Sequence, residues 1–562
     1  MDFKNLVSAI RKGRTPSSAD FLPFLSTADR KKRGDINREL AEAFADAGNL
    51  VQAAVFVRRA WVLSDFSSAV LPIYLRIHAG LSDIDAIREA YKTLGMAAVE
   101  RGDVAEALAN FNQWHYAYAN HLKVDRYTHD WDVLAGIRKM ADPWRFGTYS
   151  QGGALNGRKI RLAYLVFGAR HLNSVLVKIN CMLARYHDRE RFEVTFFIPD
   201  PKHLVYQSRH ARQAIKQFQD YGARVFVPPA GFNLLKRLRA VASQIHETQP
   251  DMLITSAVLA EFEHYFIASL RPAPLIVGLI QGPPAQFAAP DLDWGISWSK
   301  HPLIDAPCNV SLVQIGLDLP TRETVTPYAK EDFQIPEQCR VIMSGGRFFK
   351  FENADFWKAV LGLLTKYADL HYVAFGVSRQ QIPFLETLLT PDISSRVHLL
   401  GWREDSLRIL TLADILVDTY PSGGGHILVD AMALGIPFVS FENNYMKNFD
   451  QTDWSVADEF VSIPELLVPR GDFGQFERTC AMLLDQDVYR CRMGKLCREL
   501  IHQSTGNPEA GVRRYEDVIM DILHKKVSRQ VGDTSKGLGR GGDFRSTLEK
   551  WRKKIRDSLT GK

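Results

Sequence analysis

The sequence predicts an α/β chain made of two doubly wound lobes that follow an all-α domain. Two observations carry this. Residues 34 to 120 repeat apolar and small side chains at three- and four-residue spacing with almost no proline, and beyond residue 158 short apolar strands alternate with amphipathic stretches, twice over. With 562 residues, 46% of them hydrophobic, there is material for three or four packed cores.

In the helical part, AEAFADAGNLVQAAVFVRRA (Ala41 to Ala60) resembles GMAAVERGDVAEALANFNQW (Gly95 to Trp114). Each segment closes one helix at a glycine (Gly48, Gly102), caps the next with Asn49 or Asp103, and restarts with a small residue (Ala53, Ala107) where helices must approach closely. This is tetratricopeptide-like chemistry, in which stacked hairpins form a concave peptide-binding face, although the offset of 54 residues does not fit the usual 34-residue period. A plain helical bundle supporting the next domain is the other reading.

After the Gly-rich stretch YSQGGALNGR (Tyr149 to Arg158), strands are expected at RKIRLAYLVFG, RFEVTFFIPD, ARVFVPP, DMLITSAVL, PLIVGLIQG and DWGISW. The alternation then restarts with CRVIMSGG, HYVAFG, RVHLLGW, ADILVDTYP and IPFVSF. Two Rossmann-like units imply a cleft, with ligands at the carboxyl ends of the strands. The expected domains are 1–148, helical and repeat-like; 158–325, the first lobe; 326–524, the second lobe; and 525–562, a basic flexible tail.

Composition narrows the function. The formal charge of +6 resides in the tail, where twelve basic residues from Lys525 to Lys562 face four acids, leaving 58 basic against 60 acidic residues elsewhere. Such a body carries no basic excess for a nucleic-acid backbone. The opening MDFKNLVSAIRKGR lacks an apolar signal region, and no stretch approaches the ~20 apolar residues of a membrane span. Six cysteines without a CxxC pair or clustered histidines argue against zinc or a disulfide framework. A reducing, cytoplasmic, metal-poor protein is expected. Within the tail, STLEKWRKKIRDSL could form an amphipathic helix around Leu548, Trp551, Ile555 and Leu559, contacting an anionic membrane or an acidic partner, or be a solvated segment.

The strongest motif is DTYPSGGGHILVDAMALGIPFVSF (Asp418 to Phe441): a strand, three glycines, and a helix opening near His426. Open amides and the positive end of a helix dipole suit a diphosphate, and Asp430, one turn beyond His426, can accept from a ribose hydroxyl. The second motif is SGGRFFKFENADFW (Ser344 to Trp357), where Arg347 and Lys350 follow a strand end and could neutralise a leaving diphosphate.

RPAPLIVGLIQGPP (Arg271 to Pro284), GRFFKFE, DTYPSGGGHILVDAMALGIP and YLVFGARHLNS (Tyr164 to Ser174) stand in the same order as similar segments of glycosyltransferase family 41. That family holds the O-linked N-acetylglucosamine transferases and the bacterial cytoplasmic adhesin N-glucosyltransferases. The resemblance runs from about Arg158 to about Arg470 and implies a GT-B fold, with an acceptor-side first lobe and a nucleotide-sugar-binding second lobe. It implies an inverting enzyme that needs no metal or other cofactor, takes a UDP-sugar donor, and transfers a hexose or N-acetylhexosamine to Ser/Thr or Asn of a polypeptide such as an adhesin. By the same resemblance Lys350 holds the diphosphate with Arg347 near it, His426, Ile427 and the amides of Gly424 and Gly425 cradle it, and Asp430 binds the ribose. His171 faces the sugar or acceptor as base or positioner, or caps a helix. Gln281, Glu261 and His264 lie by the acceptor and sugar. Trp402 and Arg403 stack on and bond to uracil, or the Trp packs structurally. Ile427 and Leu428 replace a threonine pair of the family, and QGPPAQFAAP, with Gln281 and Gln286, departs from its Pro-Gly turn, so sugar and acceptor identity stay open. The alternatives are a GT-B enzyme of surface-glycan synthesis and a non-catalytic repeat scaffold.

Overall fold

The computed structural model describes residues 2–119, 130–147, 149, 157–166, 175–255, 261–280, 292–297, 308–421, 423–442 and 463–534. Eight helices come first: α1 (Phe3–Arg11), α2 (Ser18–Leu25), α3 (Arg30–Asp46), α4 (Leu50–Leu63), α5 (Leu71–Gly80), α6 (Ile84–Arg101), α7 (Val104–Ala119) and α8 (Trp131–Ala141). The two similar segments are the hairpins α3–α4 and α6–α7, and they turn in the same way. Gly48 and Gly102 adopt left-handed φ of 78° and 72°, and the following amides return to the helix, Asn49 to the Phe44 carbonyl and Asp103 to that of Ala98, both at 2.9 Å. The Asn49 and Asp103 side chains then accept from the amides of Gln52 (3.1 Å) and Glu106 (3.0 Å), capping the second helix of each pair. Ala53 and Ala107 are fully buried, as close helix approach requires. The offset between the hairpins has a simple cause: α5 stands between them.

The first sheet follows the order β3-β2-β1-β4-β5-β6-β7, all parallel. Its strands and helices are β1 (Ile160–Leu165), α9 (Val175–Tyr186), β2 (Phe192–Phe197), α10 (Lys202–Gln207), α11 (Arg209–Asp220), β3 (Arg224–Phe226), α12 (Leu234–Glu247), β4 (Met252–Thr255), α13 (Phe262–Ser269), β5 (Ile276–Ile280), β6 (Trp294–Ser297) and β7 (Val310–Leu312). The second sheet repeats the plan as β10-β9-β8-β11-β12-β13, again all parallel. Its elements are β8 (Arg340–Gly345), α14 (Ala354–Lys366), β9 (Leu370–Phe375), α15 (Pro391–Ser394), β10 (Val397–Leu399), α16 (Ser406–Leu410), β11 (Ile415–Val417), α17 (His426–Ala433), β12 (Phe438–Phe441), β13 (Leu467–Val468), α18 (Phe473–Asp485), α19 (Asp487–Ser504) and α20 (Pro508–Thr534). Strands covered by helices on both faces read as unbroken apolar runs, and every residue of β9 is buried.

The cores are arranged unequally. Residues of α6, α7 and α8 share one apolar core with β1, α12, α13 and β5, so the inner helices and the first lobe are packed as one body. Phe262 is the hub, with its ring 6.2 Å from Phe111 and 6.1 Å from Trp114. The second lobe encloses a large core of its own around Trp357, Tyr372 and Phe438. By chain contacts, residues 1–513 form one compact unit and 514–562 another. Helix α20 continues to Thr534, past residue 525 where composition set the start of the tail, with no glycine or proline between Gly511 and Gly532 to interrupt it. The amphipathic segment around Trp551 lies outside the described residues. No helix among the described residues is long and apolar enough to cross a membrane.

Candidate functional site

In a doubly wound sheet the strand order reverses at one point, and the loops leaving the two strands there diverge to opposite faces, opening a crevice at their carboxyl ends. In the second sheet that point lies between β8 and β11, which pair side by side. Ser344 ties the two strands by donating to the Val417 carbonyl at 2.7 Å. Beyond β8 the chain passes through Gly345 and Gly346 into a short 3-10 turn, Phe348–Phe351, that carries Lys350. Beyond β11 it passes through Asp418 and the glycines to α17. The two motifs singled out in the sequence therefore meet.

Their meeting point is one peptide unit. Lys350 Nζ donates to the Gly423 carbonyl, while the amide on the other side of that peptide bond, Gly424 N–H, donates to Asp418 Oδ1. Asp418 also accepts from Thr419 N–H (3.1 Å) and from Ser440 Oγ (2.7 Å). A side chain at Gly423 would collide with the Asp418 carboxylate, and one at Gly424 would meet Ile427 Cγ2 at 2.5 Å, so the turn is shaped around both. Burial pushes the Lys350 ammonium down to about 8; the Asp418 charge opposes that shift and Arg347 adds to it. Burial likewise raises the Asp418 carboxyl, against the pull of its hydrogen bonds and of Lys350.

Helix α17 begins at His426 with Gly425 as its cap residue, and a side chain at Gly425 would meet no atom of the described residues within 4 Å. The Leu428 amide bonds back to the Gly425 carbonyl (3.2 Å), the His426 and Ile427 amides precede it at the helix start, and the dipole adds positive potential there. His426 sits at that start with both ring nitrogens buried and without a hydrogen-bond partner among the described residues. Its Nδ1 lies 3.4 Å from Asp430 Oδ1, one turn along, too long for a well-formed hydrogen bond. Ile427, by contrast, packs its side chain against Gly345 and Gly424, which leaves only its backbone for a ligand.

The remaining predicted residues separate. Arg347 is exposed at the mouth of the site. Its charge acts on the Tyr116 hydroxyl at the end of α7; burial raises that phenol's pKa, Glu261 and Glu263 at the start of α13 raise it further, and Arg347 opposes them. The mouth of the second-lobe site is thus electrostatically within reach of the helical region and of the first lobe. Trp402, just past β10, is 74% exposed, an unusual state for a tryptophan that only packs. Arg403 was expected to read uracil, but its guanidinium is held by both Asp405 oxygens (2.8 and 2.6 Å), and Asp405 also accepts from the Tyr328 hydroxyl (2.5 Å). His264 was expected to line the cleft and is instead fully enclosed in α13, facing Thr255 Oγ1 (3.3 Å) and Glu261 Oε2 (3.6 Å), with its pKa pushed down by burial to about 3. It supports the end of β4 and cannot titrate near neutrality. His171 and Gln281 lie outside the described residues. Among the described residues no three His, Cys, Asp or Glu side chains gather as a metal-binding group. Asp418 lies in the glycine motif but is not among the residues the sequence assigns to the site. An acid ending an apolar strand, followed five residues on by glycines, was the available signal.

No protein-family profile matches the chain, and no curated protein matches it in sequence. Among solved structures, a lysine-to-methionine mutant of the Thermobaculum terrenum O-GlcNAc transferase is similar at a TM-score of 0.57 and 13% identity, over 94% of this chain and 99% of that one. TarM is similar at a TM-score of 0.47 and 10% identity, over 65% of this chain and 99% of that one. HepE of Anabaena, in complex with UDP, is similar at 0.45 and 12%, over 64% and 100%. The match to the first of these extends through the helices, and the architecture is the two-lobed GT-B fold with a helical N-terminal region.

Proposed function

We propose that this chain is an inverting glycosyltransferase that moves a hexose or N-acetylhexosamine from a UDP-sugar to a polypeptide. The observation that carries the reading is the switch-point crevice of the second lobe, where Lys350, the glycine turn and the start of α17 converge around a histidine whose ring nitrogens are buried and, among the described residues, without a hydrogen-bond partner. Such a site suits a nucleoside diphosphate: helix-terminal amides and a partly desolvated ammonium favour the anion, and exposed Trp402 offers a face for the base. A fold shared with an O-GlcNAc transferase over nearly the whole chain supports the same donor class, and the four ordered motifs support a polypeptide acceptor, with the helical region presenting it.

In this mechanism a Ser/Thr hydroxyl or an Asn amide attacks the anomeric carbon as the bond to the UDP oxygen breaks on the opposite face, inverting the centre, and the acceptor proton passes to a base, the role assigned to His171. Lys350 and the α17 terminus take up the charge that grows on the departing diphosphate, so this chain's own groups supply the stabilisation a bound cation would otherwise give. Holding acceptor and donor in line supplies the remainder. The test is incubation of the full chain with a panel of nucleotide sugars and a lysate lacking this protein, read by intact-mass and peptide mass spectrometry. A hexose or N-acetylhexosamine increment on a polypeptide is expected with a UDP-sugar; transfer only to a glycan, or to nothing, overturns the reading.

A further inference from the structure

We infer that Asp418 is a positioning residue of the donor site: it locks the Gly423–Gly424 peptide so that the Gly423 carbonyl holds the Lys350 ammonium in place until an anionic diphosphate draws that ammonium to itself. The inference rests on the donor reading above and adds a device to it. Its basis is that the two hydrogen bonds act on opposite sides of a single peptide plane. Asp418 fixes the N–H and Lys350 takes the C=O, so neither residue can move without turning the plane or losing its partner. Asp418 is itself immobilised, fully enclosed and bonded to Thr419 N–H and Ser440 Oγ, while the absence of Cβ atoms at Gly423 and Gly424 lets the carboxylate lie against the turn.

A lysine so placed has exchangeable allegiance. Its carbonyl partner is neutral, and a phosphate oxygen offers the ammonium a stronger, charge-assisted bond. The charged groups that bear on Lys350 are Asp418 from the end of β11 and Arg347 from its own turn; from the start of α17, the next packed element, the titratable groups are His426 and Asp430. Of these, Asp418 keeps the ammonium protonated, opposing desolvation and Arg347. The carboxylate therefore acts twice, on the geometry of the turn and on the charge of the lysine.

The test uses the full chain with its lysines reductively methylated with 13C, the Lys350 signal being identified by its loss in Lys350→Arg. In Asp418→Asn, which keeps size and shape, the Lys350 titration is expected to move at least about one pH unit lower, and the alkaline fall in UDP affinity, measured by calorimetry, to move with it. A Lys350 titration unchanged in that variant overturns the inference. Should Asp418→Asn fail to fold, amide exchange in the 15N-glycine-labelled wild type decides: a Gly424 amide protected both without and with UDP supports the lock, and rapid exchange in the ligand-free protein overturns it. A wild type that binds no UDP removes the donor reading alone, since the titration, and the exchange in the ligand-free protein, are read without ligand.

Discussion

The two lobes share a strand order but differ at its reversal point. In the second lobe, the chain leaving β8 and β11 carries glycines, a lysine and an aspartate bonded to opposite sides of one peptide, and the start of α17. In the first lobe, β4 ends at Thr255 against His264, a fully buried histidine that burial keeps neutral, and the adjoining α13 is fastened to α7: Asn112 donates to Glu263 (2.9 Å) and accepts from Phe262 N–H (3.0 Å). One topology thus yields the proposed donor crevice in one lobe and a seat for the packed helices in the other. The same strand order carries different side chains in the two lobes, and fold alone does not assign chemistry.

The largest effect is expected where the first lobe and the helices share their core. Phe262→Ala removes a ring that touches Phe111 and Trp114, and a buried Phe truncation costs about 3–5 kcal/mol. Thermal unfolding should show that loss, while UDP affinity measured well below the transition should stay near wild type, because the second lobe encloses a core of its own. An equal fall in UDP affinity in the folded variant would mean that the lobes are not independent in this sense. Next comes Lys350→Ala, which removes the only lysine of the crevice motif; loss of one such charge-stabilising donor costs about 10²–10³ in turnover, and the melting temperature should hardly change. The sign of the pH dependence follows from the depressed pKa. Lys350 is charged below about 8 and loses its proton above it, so UDP affinity should be flat at neutral pH and fall as pH rises through about 8. Lys350→Arg, permanently charged, should abolish that fall; its persistence would place the titrating group elsewhere.

Much of this was legible in the sequence, for identifiable reasons. Strands buried on both faces announce themselves as apolar runs, so eleven strands were read; the two missed, Val310–Leu312 and Leu467–Val468, are three and two residues long at sheet edges, too short to show a period. The glycine turn and Lys350 were visible because glycine and a strand end mark the crevice locally. Asp418 and His264 show the limit. Whether a polar residue beside a strand end is enclosed or faces a ligand depends on neighbours far away in sequence, such as Ser440 for Asp418. Arg403 shows it differently: its partner Asp405 was in plain view, but the Tyr328 hydroxyl that completes the cluster is 77 residues distant.

That cluster supplies the finest test of where the second lobe ends as a site and begins as a scaffold. Trp402 and Arg403 are adjacent in the chain, yet one side chain is 74% exposed and the other is engaged by both oxygens of Asp405. Stacking of a base on an aromatic side chain is worth about 1–3 kcal/mol, so Trp402→Ala should weaken UDP binding roughly tenfold with no change in melting temperature. Arg403→Ala should do the reverse and do less, because a partly exposed ion pair contributes only about 0–1 kcal/mol: a slight loss of stability with UDP affinity preserved. Calorimetric titration with UDP against uracil-free diphosphate separates the two, since only the UDP curve should respond to Trp402→Ala. If Arg403→Ala weakens UDP and leaves pyrophosphate untouched, the arginine leaves Asp405 for the base on binding, and the crevice extends one residue further along the edge of the sheet.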